Sequence, residues 1–392
     1  MKQSVLIIGP IADIGGRELE TGFVASILEE NYDITVLSTV YYTSKSQIFD
    51  FISRQRVKNL DALIYKQNLW FRFLAFISYL KSLKKLSVLQ CVSNSLSKKT
   101  GYRTLAIDLI KREIDKKDAV FICAQLSSNY IKEVVEYSKS QNKPIVLRTS
   151  NTIRKLDINQ NEWIANIDLF IHHSMSNANR LTFLNNYKYL LIDQCTFREN
   201  EMLMIPPAKK FKTILFVGRL SYEKGIIELV NLFEDNKIEL DLKIIGDGQL
   251  FDEIKDVSSK LDNVELLGFL NQNEILHQLK KVDAVIIPSY EESGPLVGLE
   301  AMASARLVLS TRVGAMEERL KDCENQFWFN VDNLDTLKPL IDRIRAFHQE
   351  DIERIAIGNR KRYLEKYKMG TIKSQYKSAI FNLLNHPRKE SV

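Results

Sequence analysis

The sequence predicts an α/β fold built as two doubly wound parallel sheets, and three observations carry that expectation. Short apolar runs alternate with helical patterns along the whole chain. The runs are continuous rather than alternating, which is how strands buried on both faces read. The length, 392 residues, is long for one domain and comfortable for two of about 150–200 each. Helices between such strands imply parallel βαβ units.

In the first half the strands are expected at VLIIG (5–9), ITVLST (34–39), AVFICA (119–124), PIVLRTS (144–150), DLFIHHS (168–174) and YLLIDQ (189–194). In the second half they are expected at TILFVG (213–218), DLKIIG (241–246), VELLGF (264–269), AVIIPS (284–289) and LVLST (307–311). EMLMIPPAKKF, residues 201–211, reads as the seam, because proline resists both helix and central strand. From Asp351 onward strands are absent, and two helices follow with a break at Lys368–Gly370.

Composition excludes several classes. At 45% apolar and 27% charged the chain is globular rather than disordered. No apolar run reaches the roughly 18–20 residues of a membrane span. The opening MKQSVLIIGPIADIGG reads as a first buried strand, not a signal peptide. The four cysteines, Cys91, Cys123, Cys195 and Cys323, are scattered and imply reduced cytosolic thiols and no metal site. The net charge of +6 is uneven. Lys66 to Arg112 holds ten Lys/Arg against one acid, Asp108, around the aromatic run LWFRFLAFISYL (69–80). Two readings stand: a buried helix flanked by solvated lysines, or a face for an anionic membrane surface. No nucleic-acid-binding motif accompanies the charge, so no nucleic acid is expected as a partner.

Four stretches carry candidate chemistry. After strand 5–9, Gly15 and Gly16 precede a helix; such glycines admit a phosphate to backbone N–H groups, though a plain loop looks the same. After strand 213–218, Gly218, Arg219 and Lys224 lie on a short connection at the carboxyl end of a strand, where open α/β sheets bind ligands. An Arg fork and a Lys point charge suit a diphosphate, and equally suit a solvated surface. In KIIGDGQLF, Gly246 and Gly248 straddle Asp247; a tight turn accounts for them, with nucleotide approach as the alternative. In PSYEESGPLVGLEAMA (288–303), Pro295 suits the first turn of a helix, with Glu292 on the loop before it and Glu300 within it. Both carboxylates can look toward the helix N-terminus, whose free N–H groups suit an anion. Glu291 reads as solvated.

Taken together, GRLSYEKG (218–225), GDG (246–248), GF (268–269), PSYEESGPLVGLEAMA (288–303) and STRVGA (310–315) resemble, in order and spacing, the retaining nucleotide-sugar glycosyltransferases of family four. The resemblance covers nearly all of residues 213–320; the first half matches only in its opening strand and Gly-Gly. It implies a GT-B fold, two Rossmann-like domains facing across a cleft. Residues 1–203 would bind acceptor, 211–370 would bind the nucleotide-sugar donor, and a helix within 371–392 would pack back on the first domain. Carried over by motif position, Arg219 and Lys224 would hold the donor diphosphate, Glu292 would meet the donor sugar and Glu300 the ribose. Gly294, Leu296 and Val297 would offer backbone amides, with Ser293 beside them. Gly218 and Gly246 would shape the donor turns, Phe269 and Leu270 would border the base, and Gly15 and Gly16 would close on the diphosphate. Arg219, Lys224 and Glu292 would be the catalytic set.

The chain departs from the family pattern at Pro295, where glycine is usual, at Ala305 and Leu307, which replace Gly and Pro, and at Ala315, where a second glycine is usual. Many members place a histidine after a central strand of the first domain. PIVLRTSNT offers Arg148 instead, and His172 and His173, one strand later, read as structural. The implied function is transfer of a sugar from a nucleoside diphosphate to a hydroxyl of a glycan or lipid-linked glycan, with retention and without a metal. The setting would be cell-surface polysaccharide synthesis, lipopolysaccharide or capsule, in the cytoplasm and at the inner face of the membrane. Two rivals are a nucleotide-sugar epimerase on the same fold and a non-catalytic nucleotide-sugar-binding partner.

Overall fold

A computed structural model describes residues 2–154, 162–184, 187–236, 238–333 and 336–385, with Asn236 described by its backbone alone. The chain divides into two compact units. Unit 1 comprises residues 1–172, 178–192 and 373–392; unit 2 comprises residues 173–177 and 193–372.

Among the described residues, unit 1 holds a seven-stranded parallel sheet: β1 (Ser4–Gly9), β2 (Asp33–Ser38), β3 (Val57–Asn59), β4 (Ala119–Ala124), β5 (Ile145–Thr149), β6 (Leu169–His172) and β7 (Tyr189–Leu191). Their order is β3-β2-β1-β4-β5-β6-β7. Unit 2 holds a five-stranded parallel sheet: β8 (Thr213–Val217), β9 (Asp241–Ile245), β10 (Val264–Gly268), β11 (Ala284–Ile287) and β12 (Leu307–Ser310), in the order β10-β9-β8-β11-β12. The two parallel sheets expected from the apolar runs are present. Only β3 carried no sequence signal. It is three residues, VKN, with one apolar member at a sheet edge, too little to read as a strand.

The continuous apolar runs follow from two-sided burial. In unit 2, Ile214 and Phe216 of β8 enter one core with Ile244, Ile286 and Leu309. Leu215, one residue out of phase, enters the opposite core with Ile245, Val285 and Val308. Successive strand residues point to opposite faces, so a sheet covered on both sides needs every position apolar.

The division between units falls at Ile192/Asp193 rather than in the proline-containing 201–211 stretch. Met202 and Ile205 are buried in the unit 2 core with Leu276 and Leu279, and the Ala208 N–H donates to the Ala305 carbonyl. Proline there forbids regular structure without making a linker. The final helix, Met369–Asn385, crosses the division after Ile372. From Lys373 on it groups with unit 1. Lys373 and Lys377 both pair with Glu30 at 2.5 Å, and Tyr376 donates to Glu20 Oε1 at 3.3 Å. Residues 386–392 of the expected C-terminal segment lie outside the described residues.

The basic, aromatic stretch forms the helix Leu69–Lys81, N-capped by Asn68, whose side chain accepts from the Trp70 and Phe71 amides. Phe71, Leu74 and Ala75 are buried in the unit 1 core. Trp70, Phe73, Phe76 and Leu80 are exposed. The buried-helix reading therefore describes one face only. Among the described residues no helix is long and apolar enough to cross a membrane.

Candidate active site

In each sheet the strand order reverses once, between β1 and β4 in unit 1 and between β8 and β11 in unit 2. Open parallel sheets bind ligands beyond the strand carboxyl ends at such a switch point. In unit 2 the two loops that leave the switch strands are GRLSYEKG after β8 and PSYEESGP after β11. Two of the sequence motifs are thus neighbours by topology, although about 70 residues separate Arg219 from Glu292.

Direct contacts knit these loops. Lys224 Nζ bonds Glu292 Oε1, and Ser289 Oγ donates to the same oxygen at 3.2 Å. The Tyr290 N–H donates to the Glu223 carbonyl at 3.0 Å, and Tyr290 Oη donates to Glu228. Gly225 has φ +62°, and a Cβ on it would lie 2.0 Å from the Pro288 carbonyl oxygen. The glycine after Lys224 is required by both backbone and neighbour. Lys224, expected on the diphosphate, and Glu292, expected at the sugar, form an ion pair with each other, both partly exposed. Arg219 is exposed, and its side chain makes no hydrogen bond or ion pair among the described residues.

The GDG turn has a structural use. The Leu220 N–H donates to the Asp247 carbonyl, and a Cβ on Gly246 would lie 1.9 Å from the Gly218 carbonyl. Gly246 lets the turn after β9 press against the Arg219 loop and so fixes that loop's path. The Gly246 N–H is itself taken by the Gly268 carbonyl at 2.9 Å. Phe269, next in chain, is half-exposed; Leu270 packs partly against the core, and an Asn271–Glu274 capping box starts the following helix.

The helix after β11 runs from Leu296 to Ala303. Pro295 is its N-cap, with ψ 115°, rather than its first helical residue. Its ring offers no cap, and the Leu296 and Val297 amides have no partner among the described residues. They are free donors at the positive end of a helix dipole. Gly294 and Ser293 lead into that end, and Ser293 is buried. Glu300 is buried, with no side-chain hydrogen bond or ion pair among the described residues. Burial pushes its carboxyl up to about 7.

That shift has a testable sign. Between its ordinary value of 4.5 and about 7, folded Glu300 keeps a proton that the unfolded chain releases. Its share of stability is complete at low pH and is lost as pH rises through about 7. Glu300→Gln, neutral at every pH, is expected to match wild type near pH ~4 and to be more stable near pH ~8, by at most roughly 3 kcal/mol. Parallel melting-temperature profiles for the two proteins across that window would refute the buried, unpaired carboxylate.

Sequence reasoning missed the residues that hold this helix start. Arg319, fully buried, makes a two-pronged pair with Asp193 at 2.7 and 2.8 Å, and its Nη1 donates to the Pro295 carbonyl at 2.5 Å. Burial alone would push the guanidinium down; the Asp193 carboxylate outweighs it and holds Arg319 above its ordinary value. A Cβ on Gly294 would lie 3.0 Å from Arg319 Nη2 and 3.1 Å from the His173 Cβ, so that glycine is closely walled. In the sequence, Arg319 is one charge in MEERL and Asp193 lies 126 residues away, so no local pattern joins them. At Ala305, where the resemblance expects glycine, φ is +50°, a conformation that costs a residue with a Cβ about 1–2 kcal/mol.

Unit 1 places its expected residues differently. The Gly15 N–H is occupied by Gln47 Oε1 at 2.9 Å, and the Ala12 N–H by Glu18 Oε1 at 2.8 Å. Glu18, in the first turn of the helix Gly16–Glu29, brings negative charge to that N-terminus. A Cβ on Gly16 meets nothing within 4 Å, so no neighbour demands glycine there. Arg148 is fully buried, bonding Glu20 at 2.6 Å and the Ile192 carbonyl at 2.7 Å. His172 is buried, shares a 2.9 Å hydrogen bond with Thr149 Oγ1 and stacks on Phe170. Among the described residues no group of three or more His, Cys, Asp or Glu could hold a metal ion.

The fold and the site define a class first. Two parallel, doubly wound α/β units with motif loops at a switch point make a GT-B fold. A solved structure from Anabaena, Alr3699/HepE in complex with UDP and glucose, superposes with a TM-score of 0.69 over 97% of this chain and 99% of that one, at 14% identity. In the sequence of unit 2, residues 198–362 match the model for Glycosyl transferases group 1. Among curated relatives, an uncharacterized glycosyltransferase of Methanocaldococcus jannaschii is 30% identical over 155 residues, 39% of this chain and 43% of the relative. An uncharacterized protein in the cps region of Klebsiella pneumoniae is 29% identical over 160 residues, 40% of each chain. The chain spans about two-fifths of the length of the curated relatives it matches.

Proposed function

We propose that this protein is a retaining glycosyltransferase. It moves a sugar from a nucleoside-diphosphate donor to a hydroxyl of a glycan or lipid-linked glycan. The observation that carries the reading is the pairing of the two switch-point loops through Lys224 and Glu292, with Arg219 exposed on the same connection as Lys224. The bond from the anomeric carbon to the phosphate oxygen breaks and a bond to the acceptor oxygen forms on the same face. The acceptor proton passes to the departing phosphate. Negative charge grows on the diphosphate as it leaves, and fixed cations with open helix N–H groups stabilise that charge more in the transition state than before it. Arg219, Lys224 and the Leu296 and Val297 amides are that set. Glu292, joined to Lys224, takes the sugar hydroxyls beside the phosphates, and Glu300 the ribose. In this reading Gly218 and Gly246 shape the Arg219 loop, while Phe269 and Leu270 border the base. Ser293 and Gly294 line the approach to the helix.

The reading predicts selective stabilisation by one nucleoside diphosphate and its sugars. At about 100 times the dissociation constant the gain is roughly 2.7 kcal/mol. A thermal-shift panel over the common bases and sugars measures it; a flat response to every member defeats the proposal. Analysis of products with the selected donor then separates transfer from epimerisation and from binding alone. The likeness to a protein of the Klebsiella cps region supports an acceptor in cell-surface polysaccharide synthesis, with the enzyme working at the inner face of the membrane.

A further inference from the structure

We infer that unit 1 docks on an anionic lipid bilayer through the outer face of the helix Leu69–Lys81. Leu69, Phe73, Phe76 and Leu80 stand at i, i+4, i+7 and i+11, one stripe of a helix. They are 75%, 53%, 52% and 47% exposed, and Trp70, 51% exposed, packs beside Phe73 with ring centroids 5.9 Å apart. Leu83 and Leu86, 79% and 46% exposed, extend the apolar surface past the helix end. The opposite face of the helix is already anchored by Phe71, Leu74 and Ala75, so the stripe is surplus to the fold. Water-soluble surfaces rarely leave so much contiguous apolar side chain uncovered without a partner.

Charge selects the partner. Lys66 precedes the helix, Lys81 ends it, and Lys84 and Lys85 follow it, all exposed and none in an ion pair among the described residues. Asn94 Nδ2 donates to the Leu74 carbonyl at 3.4 Å and caps the short helix Ser95–Lys99, which seats Lys98 and Lys99 on the neighbouring element. Aromatic rings flanked by unpaired lysines suit the headgroup level of an anionic leaflet, where rings bury their bodies and ammonium groups meet phosphates. A second copy of this chain fits poorly. An isologous contact would set the same lysines against one another. The inference rests on unit 1 alone and does not depend on the donor site.

The test is co-sedimentation of the full chain with vesicles of phosphatidylcholine, with and without about 30% phosphatidylserine. Binding is expected only to the anionic vesicles, weakening as salt rises from about 0.1 to about 0.5 M. K81E/K84E/K85E, which changes no packed residue, is expected to weaken binding by at least about tenfold, since one lysine near such a surface is worth roughly fivefold. F73S/F76S is expected to weaken it similarly while leaving the melting temperature unchanged, both side chains being half-exposed. Failure to bind the anionic vesicles, or binding that neither variant alters, overturns the inference. So does a wild-type dimer in sedimentation velocity that F73S/F76S converts to monomer.

Discussion

Replacing Arg319 with alanine is expected to destabilise unit 2 by about 3–5 kcal/mol, the cost of leaving one member of a buried ion pair uncompensated. For a unit of this size that corresponds to a fall of roughly 10 °C in its unfolding midpoint. The reason is local. Asp193 is buried, its two carboxylate oxygens are both held by Arg319, and among the described residues the Gln194 N–H also donates to it. The same guanidinium holds the Pro295 carbonyl, so the helix start at Leu296 loosens with it. Nucleoside-diphosphate binding should weaken in parallel with stability. The double variant Arg319→Met/Asp193→Leu is expected to recover most of the stability, because it removes both charges rather than one. It should not recover donor affinity, because the Pro295 carbonyl still lacks its donor. A single variant within about 1 kcal/mol of wild type would show that the pair does not hold the site.

Arg219→Ala is expected to do the reverse: to leave stability unchanged and to lower activity. The side chain is exposed and makes no hydrogen bond or ion pair among the described residues, so its removal should stay within about 0.5 kcal/mol in stability. As a charge-assisted contact that strengthens while the diphosphate departs, it should be worth roughly 10²–10³-fold in kcat/KM with the donor that the thermal-shift panel selects, about 2–4 kcal/mol. Arg219→Lys should recover part of the loss, since it restores charge without the planar fork. Turnover like wild type in Arg219→Ala would remove Arg219 from the proposed chemistry. The two arginines differ in their surroundings: Arg319 is buried and held by Asp193 and the Pro295 carbonyl, and the Arg219 side chain is exposed.

The strands were legible wherever burial on both faces forces a run such as AVFICA or TILFVG, and β3 was not, because VKN at an edge needs no such run. The same reasoning misplaced the seam. Pro206 and Pro207 report that no helix or central strand passes there, while Met202 and Ile205 on one side show where the chain is packed. In the aromatic helix, composition left two readings open. Only the accessible surface shows that Phe71 and Leu74 serve the core and Phe73 and Phe76 do not.

At the candidate site, the local patterns GRLSYEKG and PSYEESGPLVGLEAMA were legible as loops after strands that hold charge and glycine at fixed offsets. Local pattern was enough to give the fold class, since period and burial are properties of a few consecutive residues. What the tertiary structure alone decided was pairing. Strand order sets two distant loops side by side at one switch point, Lys224 closes on Glu292, and Arg319 reaches Asp193 across 126 positions. It also engaged the amide of Gly15 with Gln47, a contact 32 residues apart that no glycine motif could announce. Such contacts depend on which elements the sheets bring together, and sequence spacing does not encode that distance.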